Sequence, residues 1–119
     1  MPEPLTDEPI IEWTEDGYPT EESLQRLCEA LQDFNIAETA FYAALRCNRY
    51  SDYCGPERVE VRGEVIDVWA YHTGGWSGNE EIIHTLQERA PLLWSWLLER
   101  YDAGGHYYFK PPKEAGFGA

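Results

Sequence analysis

Positive charge is what this sequence has least of. Its 119 residues carry 9 Lys+Arg against 22 Asp+Glu, a formal net charge of −13 with a pI near 4.4. A chain this acidic is repelled by nucleic-acid phosphates and by anionic membrane surfaces unless its cations form one patch. They are scattered along the sequence, so direct nucleic-acid binding is not expected. Cysteine is also scarce. Cys28, Cys47 and Cys54 make an odd number and no apolar leader segment precedes them, which reads as a cytoplasmic protein with reduced thiols. Six residues separate Cys47 from Cys54, outside the usual Cys-x2–4-Cys spacing of structural zinc, and neither metal nor cofactor is expected. No apolar run approaches the roughly 18 residues of a membrane span.

Apolar and aromatic material is plentiful by contrast. Hydrophobic residues make up 43% and aromatics 14%, including five Trp and eight Tyr, enough to fill one core at this length. The expected organisation is an acidic, proline-bearing tail over 1–9, a single domain over 10–110, and a Pro/Gly-rich tail over 111–119. The charge is uneven. Residues 1–34 hold ten acids and one base, a net of −9, and residues 35–119 a net of −4.

Thr20 followed by Glu21 and Glu22 predicts a helix start, with Leu24, Leu27, Leu31 and Phe34 on one buried face. Asn35 with Glu38 predicts a capping box for a second helix through Ile36, Phe41 and Leu45. Cys47–Pro56 reads as a loop. Val59 and Val61 alternate with charged residues ahead of Arg62-Gly63, and Glu64–His72 is β-branched and aromatic, so a β-hairpin is predicted with its second strand central in a sheet. Ser77 with Glu80 predicts the cap of a third helix, Pro91 opens a fourth through Leu92–Tyr101, and His106–Lys110 closes the sheet. The fold class is α+β, a small antiparallel sheet of about three strands covered by about four helices.

Two sets of residues compete for function. The first is the acidic segment, where Glu12, Glu15, Asp16, Glu21, Glu22 and Glu29 could present charge to a protein that normally holds nucleic acid, with Trp76 as an apolar anchor. The plain alternative is a solvated helix face. The second is the glycine-rich loop, where His72, Trp76, Ser77, Asn79, Glu80 and His106 are a candidate small-ligand or acid–base pocket. Against it, the loop lacks the Lys of a phosphate loop and has no G-x-G-x-x-G spacing, and Ser77 as a cap with glycines in a tight turn explains it as well. His72 and His106 are expected at opposite ends of their strand pair, and His84 on a helix surface. Trp94 and Trp96, two apart on one helix, point in nearly opposite directions, so one must meet a second layer, solvent or another copy; a self-associating structural protein, such as a homodimer, is the third reading.

The stretch from Trp69 through His72-Thr-Gly-Gly-Trp-Ser-Gly-Asn-Glu80 to Ile83, with Trp94-Ser-Trp96 and Gly104-Gly-His-Tyr-Tyr-Phe109, resembles a small family of uncharacterised phage and bacterial proteins. The resemblance covers the second half of the chain and brings no catalytic or binding residue with it. It implies a phage or prophage setting, in which small acidic proteins bind and inhibit host machinery. The leading expectation is therefore a non-catalytic, acidic protein-binding module with an unidentified host protein as partner, an inhibitor of nucleic-acid processing.

Overall fold

Thr20 begins the first helix as expected. Its Oγ1 accepts from the Ser23 amide at 3.1 Å, and Glu21 and Glu22 sit in the first turn against the positive helix end. In the computed structural model, which describes residues 10–49 and 54–112, this helix, α1, spans Glu21–Leu31. The expected tail over 1–9, most of that over 111–119, and the centre of the Cys47–Pro56 loop lie outside the described residues. Leu27, Ala30 and Leu31 are buried. Phe34 is not: the helix stops at Leu31, so the predicted heptad-like offset does not reach it, and its ring is 96% exposed.

Helix α2, Ala37–Leu45, buries Ala40, Phe41, Tyr42, Ala44 and Leu45 and is the most enclosed of the helices. The capping box predicted for it does not form. Ile36 occupies the cap position without a side-chain bond, while the Asn35 amide donates to Asp33 Oδ1 at 3.0 Å in an Asx turn.

Strands β1, Gly55–Val61, and β2, Glu64–His72, form the predicted hairpin, and positive φ at both Arg62 (51°) and Gly63 (87°) gives the turn a twist that suits paired strands. β1 starts earlier than expected, at Gly55-Pro56, because an edge strand tolerates a proline. Helix α3, Ser77–Arg89, follows, and then α4, Pro91–Leu97.

The fourth helix is shorter than predicted. Leu98 turns extended (ψ 122°), and Leu98–Asp102 form β3, a hairpin partner for β4, His106–Phe109. Gly104 and Gly105, both at positive φ, close that hairpin. The sheet is therefore four-stranded and antiparallel, in the order β1-β2-β4-β3, with β2 central as expected.

The helices cover one face of this sheet. Tyr71 and Phe109 project into a core with Leu27, Phe41, Ile82, Leu86 and Leu97, and the Phe41 and Trp94 rings each meet Phe109 edge-on at 5.4 Å. The other face carries a smaller apolar cluster of Val68, Ala70 and Tyr108. This face is concave. Arg100 on β3 donates to the Glu60 carbonyl of β1 at 2.7 Å, and Arg62 lies 3.7 Å from Glu99. In a flat sheet those edge strands would stand about 14 Å apart, beyond the reach of an arginine, so the β1–β2 hairpin curls back across its own sheet.

Candidate functional site

The candidate pocket residues around the glycine-rich loop are not brought to one place. Trp76 turns inward, its indole N–H donating to the Gly17 carbonyl and its ring 5.2 Å from that of Tyr18. It is neither a projecting anchor nor a lid over the β-hairpin. Its ring packs where its one polar atom finds an acceptor. Gly78 is dictated by that contact, since a Cβ there would stand 2.4 Å from the Gly17 oxygen. Ser77 does not cap α3; it is the first helical residue, and its hydroxyl pairs with Tyr18 Oη at 3.0 Å.

Asn79 is fully buried and occupied by structure. Its amide donates to the carbonyls of Arg49 (2.6 Å) and Thr73 (2.9 Å), and its oxygen accepts from the Arg49 amide (2.9 Å). Glu80 lies toward the helical side of the sheet, where its charge helps hold the Tyr107 hydroxyl above its ordinary range, after the larger effect of burial. Tyr107 and His106 are consecutive in β4 and so face opposite sides. The six candidate residues thus divide among four sets of partners.

The histidines correct the sequence reading most directly. His72 ends β2 and His106 begins β4, and an antiparallel pair brings one strand's end to the other's start. The two are directly opposed in the register. His72 Nδ1 and His106 Nδ1 stand 2.9 Å apart, and His72 Nε2 lies 2.6 Å from Glu57 Oε2 on β1. Glu57, opposite Val68, was not anticipated because its strand began earlier than its sequence signals. On the outer strand Asp102 faces His106, and Arg100 grips the Asp102 carboxylate with two bonds of 2.9 Å, which lowers the carboxyl's pKa. The order across the concave face is Glu57, His72, His106, Asp102.

The acidic residues keep their expected exposure. Glu12, Glu15, Asp16, Glu21, Glu22 and Glu29 all face solvent; Arg26 offsets part of the charge through an exposed pair with Glu12 at 3.6 Å. Phe34 stands just past this helix, an exposed aromatic the periodicity had assigned to the core. The Trp pair on α4 divides as predicted: Trp94 is buried, and Trp96 is 66% exposed with the Lys110 ammonium 4.6 Å over its ring.

Among the described residues no helix is long and apolar enough to cross a membrane, and no three His, Cys, Asp or Glu side chains gather as a metal-holding group. Comparison with protein-family models, curated proteins and solved structures gives no match.

Proposed function

We propose that this protein is a non-catalytic protein-binding module whose contact surface is the acidic strip of residues 12–33 ending in Phe34. The observation that carries this reading is the Phe34 ring, 96% exposed and directly following the carboxylates of α1. An aromatic anchor supplies affinity, and surrounding charge of one sign supplies steering and selectivity. The fitting partner is a cationic surface with an apolar notch, as in a protein site that ordinarily accommodates nucleic acid. The partner in this reading is a host nucleic-acid-processing protein, inhibited by occupation of the site.

Affinity capture from nuclease-treated bacterial lysate, followed by titration of the recovered complex, tests the proposal. Binding should weaken steeply as salt rises from about 0.05 to 0.5 M. Glu21→Lys with Glu22→Lys should slow association at least about tenfold, and Phe34→Ala should weaken affinity by about 2 kcal/mol with no change in thermal stability. Binding indifferent to both salt and Phe34 would remove the reading.

A further inference from the structure

We propose that His72 and His106 chelate a divalent transition-metal ion of the zinc class on the concave face of the sheet, with Glu57 orienting His72. The inference is independent of the α1 surface.

The tautomer follows from the geometry. Glu57 Oε2 lies 2.6 Å from His72 Nε2, and an ionised carboxylate only accepts, so the ring proton is on Nε2. In the tautomer whose one ring proton is on Nε2, His72 aims its Nδ1 lone pair at His106 Nδ1, 2.9 Å away. A carboxylate fixing the far nitrogen of a histidine is the usual outer-sphere arrangement behind a metal-ligating imidazole, where it sets ring orientation and raises basicity. Two nitrogens bound at about 2.05 Å in tetrahedral geometry stand about 3.3 Å apart. For an ion to replace the proton between the two Nδ1 atoms, the pair opens by a few tenths of an ångström and each ring tilts by roughly 35°, so that both lone pairs converge on the ion. That proton moves to His106 Nε2, and no net charge change is required of the protein.

The scaffold suits chelation, because the ligands sit at directly opposed positions of one antiparallel ladder and backbone pairing sets their separation. The His72 side chain is 12% exposed and His106 is partly exposed. Among the described residues no third side chain gathers at the pair, which itself supplies two ligands.

Titration of the full-length protein with Zn2+, followed by long-range 1H–15N spectra of the imidazoles, tests this. The expected result is saturation at one equivalent, with the Nδ1 resonances of His72 and His106 moving together and those of the exposed helix residue His84 unmoved. Glu57→Gln should weaken the site about ten- to hundredfold, and His84→Ala should leave it unchanged. The proposal is overturned if millimolar Zn2+ moves neither ring or only one, if His84 moves first, or if Glu57→Gln binds as tightly as the parent. The wild-type spectra decide even where a variant does not fold.

Discussion

The side chain of Asn79 acts as a piece of backbone. By donating to one carbonyl and accepting from the amide of Arg49, it pairs with that residue as a strand neighbour would, while its second N–H holds the Thr73 carbonyl at the exit of β2. Removing a buried partner leaves the others unsatisfied, at about 1–3 kcal/mol for each such group. Asn79→Ala should therefore destabilise the fold by about 3 kcal/mol in urea denaturation, with Asn79→Asp no better because the lost donors are replaced by a buried charge. Nothing in the local sequence marks this residue, because its partners lie 30 residues upstream and six residues back. Phe34 illustrates the same limit from the other side. Its spacing fits the α1 face, but whether a periodic residue is buried depends on where the helix ends, and that is set by the Asx turn at Asp33–Asn35.

At the scale of elements, the strongest local signals are legible in the sequence: the Thr20 cap, the Arg62-Gly63 hairpin and the strand nature of Glu64–His72. The strand Leu98–Asp102 is not. Its residues continue a helical pattern from Pro91, and only the Gly104-Gly105 turn that folds them onto β4 makes them a strand. The meeting of the histidines does not depend on β3, because the antiparallel β2–β4 pair alone sets the end of one strand against the start of the other. Short α4 retains the opposition of its two tryptophans. Trp94 contacts Phe41, Tyr107 and Phe109, so Trp94→Ala should cost about 3–5 kcal/mol through the cavity it leaves. Trp96→Ala should fall within about 0.5 kcal/mol. Chemical denaturation of the two variants checks the contrast. Sizing chromatography of Trp96→Ala beside the parent tests the homodimer reading, since Trp96 and Leu92, 86% exposed, are the large apolar side chains that α4 leaves outside.

Across the whole molecule, the acidic first third and the nearly balanced remainder serve different surfaces: α1 presents carboxylates, and the concave sheet face pairs its charges internally. The division of charge was legible in the sequence. The curl of the sheet was not, since it rests on Arg100 and Arg62 reaching between strands that are neighbours in neither sequence nor ladder. Two phenols tie the layers together. Tyr42 on α2 donates to the Lys110 carbonyl just after β4, and Tyr71 on β2 donates to the Cys47 carbonyl, at 3.1 Å, just after α2. Burial drives both pKa values well above the ordinary tyrosine value of 10.0, aided at Tyr42 by the charges of Glu38 and Glu99. A folded-state pKa raised above the unfolded one contributes stability that is complete below pH 10 and is lost progressively as pH rises beyond it. Alkaline unfolding should therefore begin above pH 10, with phenolate absorbance from these two residues growing in step with loss of near-ultraviolet circular dichroism. Tyr42→Phe should unfold more easily at neutral pH for want of its hydrogen bond, yet lose less additional stability between pH 10 and 12, because its ring cannot ionise. Were Tyr42 and Tyr71 instead to titrate near pH 10 with the fold intact, the two phenols would not be the ties between helices and sheet.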